Sequence, residues 1–319
     1  MYNLISNFFK SILRFFRKKP LPQPLSLELQ YGESLRKVMA TGVRSKNRTG
    51  IDTLAIQHQY FYIKDVYKNF PILKGKKLFP KLALKELAWM MNGKTDGKWL
   101  LNRGVKYWEE WMNVEGTIGK SYGYQFRNFN GTDPLQLLIN DISSNPTSRR
   151  LILNLWNHSD LRKMTLPPCV MNYHYCCVPI NNSEHNFYLD LHVTQRSADS
   201  FLGVPYDFMF VGWFSVIIAK IAEKLSGNMY YFTARDIHYT CDDFHIYSNH
   251  FEQVEKYLKN VEENKNGVID GISRAQIEID KFSSLDDLLN QMDAEEYKNC
   301  HLTKFYEDQY GKIEAPIAI

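Results

Sequence analysis

Helical and strand-like stretches succeed one another in this chain without regular alternation, which constrains its architecture more than any other property of the sequence. Apolar residues recur at helical spacing from Leu27 to Thr41, with Ser26 as N-cap and Gly42 as C-cap. Leu54 to Ile63 alternates as a strand does, after a turn at Asn47–Gly50 that carries Arg48. Leu82 to Met91 and Leu135 to Ser143 are helical, and Leu151 to Trp156 is strand-like. Tyr173 to Pro179 and Phe187 to Gln195 read as two strands joined by the polar loop 181–186. A long apolar helix follows, Phe208 to Ser226 closed by Gly227, then a strand from Tyr230 to Tyr239 and a helix from Ser248 to Lys259. Residues 261–272 are polar and read as a surface loop, Ala275–Ile279 as a strand and Ser284–Gln291 as a helix. A doubly wound sheet needs strand and helix in strict turn, so the expected class is α+β. The 319 residues suffice for one large domain or two small ones.

The first 25 residues stand apart. Leu4, Ile5, Phe8, Phe9, Ile12, Leu13 and Phe16 recur at helical spacing among Lys10, Arg14, Arg17, Lys18 and Lys19, and a proline-rich linker, 20–24, follows. No apolar run there can span a bilayer, and no small-residue cleavage site follows a continuous apolar core. Such a basic amphipathic segment packs on the body of the protein or stays a loosely ordered extension, or it lies on an anionic membrane or a partner, and these readings all stand. The expected division is an extension over 1–25 and a folded domain over 26–319. A net charge of +4 is too modest for a dedicated nucleic-acid binder. Five cysteines, odd in number and without CxxC spacing, imply neither a zinc site nor a disulfide framework, so a reducing, cytoplasmic compartment fits. Cys176, Cys177, Cys241 and Cys300 read as packed thiols.

Cys169 reads differently. Leu166-Pro167-Pro168-Cys169 presents a thiol after a double proline. The run from Gln195 to Asp207 offers Arg196 and Ser197, then Asp199, a small-residue turn and Asp207. A cation beside a thiol favours the thiolate that attacks. Glu86 lies among Leu84, Leu87, Trp89 and Met90, and a carboxylate in such company is a candidate functional acid.

These segments belong to an ordered series. It comprises Asn47-Arg48-Thr49-Gly50, Lys85-Glu86-Leu87-Ala88-Trp89, Tyr107-Trp108-Glu109-Glu110-Trp111, Ser121-Tyr122-Gly123, Ser148-Arg149-Arg150, the cysteine segment, the Gln195–Asp207 run, Asp243–His250 and Ala315–Ile319. In this order, from about Tyr31 to Ile319, the chain resembles the thymidylate synthase family, which includes the deoxycytidylate hydroxymethylases. The resemblance implies a single domain, a mixed β-sheet packed with helices, and a homodimer formed through the sheet face. It implies 5,10-methylenetetrahydrofolate as co-substrate and no metal. Cys169 would add to carbon 6 of a pyrimidine, making carbon 5 electron-rich toward a one-carbon electrophile. Arg196 would favour its thiolate, Tyr122 would lie beside it, and Glu86 would shuttle protons.

Arg48, Arg149, Arg150, Arg196 and Ser197 match the nucleotide-phosphate site, with Arg149 and Arg150 reaching the other subunit's site. His245 and Tyr247 match the residues that hold the sugar hydroxyl, and Gln195 and Asp207 fall on the nucleotide side. Trp108, Trp111, Asp199, Leu202, Gly203 and Tyr206 match the folate side, and Ile319 ends a tail that closes over the ligands.

Two departures matter. Val170 follows the nucleophile where thymidylate synthases usually have histidine, and Asp207 stands where they have asparagine. An asparagine amide complements uracil, an N–H donor at position 3 and a carbonyl at position 4. Cytosine reverses that pattern, and an aspartate accepts from its amino group. The pattern points to the base; the deoxycytidylate hydroxymethylases carry aspartate at this position, so the resemblance implies hydroxymethylation of dCMP. The synthase-like Trp108 and Ala315–Ile319 leave dCMP methylation, dUMP hydroxymethylation and thymidylate synthesis open. Such nucleotides serve modified DNA, which fits a viral protein acting in host cytoplasm. A non-catalytic nucleic-acid-binding member of the family is the competing class. Retention of Cys169, Glu86, Tyr122 and the four arginines argues against it.

Overall fold

The computed structural model describes residues 25–263, 274–277, 282–294, 300–303 and 310–317. The expected N-terminal extension, Leu25 apart, lies outside them, as does Ile319. In chain order the elements are α1 (Leu27–Thr41), β1 (Val43–Ser45), β2 (Thr53–Ile63), α2 (Pro80–Met91), α3 (Gly97–Leu101), α4 (Tyr122–Arg127) and α5 (Pro134–Ser144). Next come β3 (Ile152–Asn154), β4 (Val170–Pro179), β5 (Asn186–Asp199), α6 (Gly203–Leu225), β6 (Tyr231–Tyr247) and α7 (Phe251–Glu263). The chain closes with β7 (Arg274–Ile277), α8 (Leu285–Asp293) and β8 (Cys300–Thr303). The class is α+β, as expected. One mixed sheet has the order β1-β2-β6-β5-β4-β3, and β7 and β8 form a separate antiparallel pair.

Within the large sheet β5 and β6 are parallel, and the other neighbours are antiparallel. Two adjacent parallel strands need a crossover, and α6 supplies it. This helix is apolar almost all round, so it must be covered on every side. The sheet covers one side through Phe208, which packs edge-on to Phe61 (centroids 5.1 Å apart) and Tyr239 (5.5 Å), and through Phe214, edge-on to Tyr173 (5.1 Å). Helices α2 and α5 cover the other. Each such side chain, fully buried, contributes roughly 1.5–3 kcal/mol. Gly212 lets α6 approach the loop before α2: a Cβ there would lie 2.7 Å from the Pro71 ring.

The opposite sheet face is not lined by α6. On it His174, His192 and His238 stand in register on three neighbouring strands, half-buried or exposed. Among the described residues no helix is long and apolar enough to cross a membrane.

Several boundaries differ from expectation for physical reasons. α6 begins at Gly203 rather than Phe208, so Asp207 is helical. Pro205 is tolerated because the first helical N–H groups have no intrahelical acceptor to lose. β5 continues through Asp199 and β6 through Tyr247, because pairing such as Ser197↔Asp243 and Asp199↔His245 carries both past their apolar runs. β4 starts at Val170, directly after Cys169, with an irregular register between Val170 and Asn172. β3 is shorter than read, Ile152–Asn154, and Leu155 N–H instead bonds the Met171 carbonyl at 2.8 Å. Ser248–His250 is a 3₁₀ turn, and α7 extends to Glu263, replacing the first part of the expected loop. Gly42 caps α1 in an extended conformation, not a left-handed one. It is needed for closeness, since a Cβ would lie 2.5 Å from the Val38 carbonyl.

Candidate active site

The C-terminal end of β5, the N-terminus of α6 and the start of β4 meet at a cleft of about 830 Å³. Cys169 stands at the lip of β4, opposite Arg196 on β5, because Val170 pairs with Gln195. The Arg196 backbone N–H donates to the Cys169 carbonyl at 2.8 Å. Its guanidinium donates to the Pro168 and Pro167 carbonyls at 3.0 Å each, and lies 5.1 Å from the Trp156 ring. The double proline thus presents two carbonyls that pin the arginine beside the thiol. The Cys169 backbone N–H donates to the Tyr122 hydroxyl at 2.6 Å. Burial pushes the thiol's pKa up; Arg196, the Tyr122 hydroxyl and Arg48 oppose that, and Asp207 adds to it. Arg196 therefore acts in the expected direction, but desolvation outweighs it and the resting group is the thiol.

Asp207 projects from the first turns of α6. Gln195 Nε2 donates to its Oδ2 at 3.0 Å. Gln195 is held in that sense because its Oε1 accepts from the Tyr239 hydroxyl at 2.8 Å and from the Cys241 thiol at 3.7 Å. Desolvation raises the Asp207 pKa to about 7, with the charges of Glu86 and Asp199 adding and the Gln195 bond opposing.

Glu86 comes from α2. The Trp108 indole N–H donates to Oε1 at 2.8 Å and the Tyr107 hydroxyl to Oε2 at 2.7 Å. Burial raises its pKa to about 7 against these two bonds.

Arg48 is presented by a turn in which Asn47 Oδ1 accepts from Thr49 N–H (2.9 Å) and Oγ1 (2.6 Å), and Gly50 takes φ +73°. Its guanidinium lies 4.6 Å from the Trp111 ring. With Arg196 and Ser197 it lines the cleft. Such guanidinium forks suit phosphate oxygens. Arg149 and Arg150 are exposed and do not line it. His245 Nδ1 lies 2.9 Å from Asp243 Oδ1. Burial disfavours the charged imidazole, but the bond to Asp243 and the Asp199 carboxylate outweigh it and raise its pKa. Tyr247 packs edge-on to His245, centroids 5.1 Å apart.

Trp108, Trp111, Asp199, Leu202, Gly203 and Tyr206 line the rest of the cleft with the tail residues Ala315 and Ile317. Asp199 Oδ1 accepts from the Phe201 and Leu202 N–H groups, at 3.1 and 3.2 Å, and so shapes the entry to α6. The tail is anchored by His250 Nε2, which donates to the Pro316 carbonyl at 2.6 Å.

Every other expected site residue apart from Arg149, Arg150 and Ile319 thus reaches one cleft. Sequence reasoning assigned no role to Tyr107, Asp243, Tyr239 or Cys241. The first two sit inside quoted motifs. Tyr239 and Cys241 act through Gln195, a contact across β5 and β6 with no local signature. Among the described residues no group of three or more His, Cys, Asp or Glu is arranged to hold a metal ion. Compared with known proteins, residues 29–307 match the family model described as thymidylate synthase.

Proposed function

This chain belongs to the thymidylate synthase family, and on that premise we propose that it hydroxymethylates dCMP at carbon 5. Membership makes it a transferase of pyrimidine-nucleotide biosynthesis with methylenetetrahydrofolate as co-substrate. That co-substrate supplies the one-carbon unit. Apolar and aromatic side chains on one side of the cleft and the carboxylate of Asp199 fit a flat, polar-edged ring system such as a pterin.

The observation that carries the reading is Asp207, held by Gln195 across the cleft that also holds Cys169. An ionised Asp207 only accepts, so it matches a base offering donors at positions 3 and 4. Cytosine does this when ring nitrogen 3 is protonated. A neutral Asp207 donates to that nitrogen and accepts from the amino group. Uracil meets the ionised form acceptor to acceptor at position 4. Because the Asp207 pKa is about 7, a neutral acid that donates to the uracil carbonyl is also populated near neutrality. That observation keeps dUMP as the second reading. Unprotonated cytosine likewise meets the ionised form acceptor to acceptor at position 3, so full pairing with either base needs one proton shared between Asp207 and the base.

In this scheme Arg48, Arg196 and Ser197 bind the phosphate, and His245 and Tyr247 hold the sugar. Cys169 gives up its proton to solvent in the cleft as its sulfur bonds carbon 6, the electron pair of the 5,6 double bond moving to carbon 5. Glu86 moves protons to and from the ring and water. Water attack at the new exocyclic carbon gives the hydroxymethyl product; hydride would give methyl. We further propose a homodimer in which Arg149 and Arg150 serve the second copy's phosphate site, supported by their exposure away from their own cleft. Mixing Cys169→Ala with Arg150→Ala protein then restores turnover through one intact shared site. Additive residual rates alone would refute the sharing.

The experiment that tests the function is incubation with methylenetetrahydrofolate and either dCMP or dUMP, with products read by mass. Hydroxymethyl-dCMP is expected. A methyl product with stoichiometric dihydrofolate, or preference for dUMP at every pH, overturns it.

A further inference from the structure

We infer that Tyr107 is a positioning residue that fixes which oxygen of Glu86 carries the proton and provides the route by which that proton reaches the cleft. The inference rests on Glu86 being the acid and base of the reaction proposed above. Glu86 has two oxygens and two partners of unlike chemistry. The Trp108 indole N–H, 2.8 Å from Oε1, can only donate. Oε1 must therefore accept whether Glu86 is charged or neutral. Trp108 cannot turn away: it is buried, tilted against Trp89 with centroids 5.4 Å apart, and edge-on to Tyr122 at 5.5 Å. The proton of a neutral Glu86 thus belongs on Oε2.

Oε2 faces the Tyr107 oxygen at 2.7 Å. A phenol both donates and accepts. It donates to the carboxylate and, by rotating one O–H bond, accepts from the acid, while no heavy atom moves. Tyr107 lines the cleft, and its ring is held against Tyr206 with centroids 5.8 Å apart, one residue before Asp207. A proton leaving Glu86 can bond to the Tyr107 oxygen as the phenol's own proton passes to an acceptor in the cleft. The phenol stays neutral, and Glu86 becomes the carboxylate. Run backward, the same path lets Glu86 accept a proton from a water that attacks the one-carbon unit, the new C–O bond taking the electron pair of the broken O–H bond.

Tyr107→Phe keeps the ring and removes the hydroxyl. Losing a donor to the carboxylate raises the Glu86 pKa, so the acidic limb of the kcat–pH profile moves up by about one unit. kcat falls roughly 10-fold or more with KM little changed. 3-Fluorotyrosine at position 107 is a stronger donor of nearly the same shape and shifts the limb down. Glu86 itself is titrated by isotope-edited infrared of its carboxyl band, assigned with Glu86→Gln. This readout needs neither substrate nor turnover. Opposite shifts of the carboxyl titration for the two Tyr107 variants, followed by the kinetic limb, support the inference. An unchanged titration overturns it even if dCMP turnover is normal. A shifted titration in a protein that turns over only dUMP leaves Tyr107 in place and overturns the base assignment instead.

Discussion

Asp207→Asn is expected to make the protein more stable above neutral pH while damaging its site. In the unfolded chain this carboxyl titrates near 3.8, and in the fold near 7. Below about pH 4 it is protonated in both states and contributes nothing to pH dependence. Between about pH 4 and 7 the unfolded chain has released the proton and the folded protein has not, so stability falls as pH rises. Above about pH 7 the full cost is present, roughly three units at 1.36 kcal/mol each, or about 4 kcal/mol. Asparagine has the same shape, carries no charge, and its carbonyl can still accept from Gln195 Nε2. The gain should therefore be near zero at about pH 4 and approach about 4 kcal/mol at about pH 8. Glu86's charge is the second contributor to the shift, so the gain shrinks in a Glu86→Gln background. Urea unfolding of both proteins at fixed protein concentration, at several pH values, reads this directly. An equal difference at acid and alkaline pH, or a variant less stable at about pH 8, would refute the reasoning that a desolvated carboxylate is held in the cleft.

Cys169→Ala should lower turnover by at least about 10⁴-fold and abolish any covalent nucleotide adduct seen by mass, with the urea midpoint little changed. Arg196→Met should raise the Cys169 thiol pKa further, since Arg196 is the leading influence against burial; slower thiol alkylation at neutral pH, recovering at higher pH, is the check. Glu28 is buried and accepts from the Lys74 and Gly75 N–H groups, at 2.6 and 3.0 Å, and from the Tyr257 hydroxyl. Glu28→Ala removes the acceptor that these three donors share and should cost about 3 kcal/mol or more in urea unfolding. Lys76 is buried over the Phe201 ring and its pKa is lowered to about 7 by desolvation. Its cost is full below that pH and fades toward the unfolded value near 10.5, so Lys76→Met should help most in acid and progressively less as pH rises, the reverse of Asp207→Asn.

The α+β class, the long apolar helix and nearly every cleft residue were legible in the sequence. Periodicity reports which faces are apolar, chemistry-bearing residue types cluster around Cys169 and from Gln195 to Asp207, and the remaining cleft residues, such as Arg48, Trp108, Tyr122 and His245, were legible only through the ordered resemblance to the family. Boundaries were least legible where a motif is polar. Arg196, Asp199, Asp243 and His245 interrupt the apolar pattern, yet all lie within strands, because parallel β5 and β6 pair through them. The small-residue stretch between Asp199 and Asp207 read as a turn, yet it is helical from Gly203, because only tertiary packing decides how far a helix extends past a tolerated proline.

The sequence by itself determined the inventory: a thiol, guanidinium groups and three acids, Glu86, Asp199 and Asp207. Only the tertiary structure decided their ionisation and pairing. Cys169 sits beside Arg196 and is still a thiol, while Glu86 and Asp207 both titrate near 7. Tyr107 and Trp108 divide the two oxygens of Glu86 between them, and Tyr239 orients Gln195 toward Asp207. The reason is physical. Residue type sets what a group can donate or accept, but desolvation and partner geometry depend on which strands and helices close over it, and those neighbours are distant in the chain.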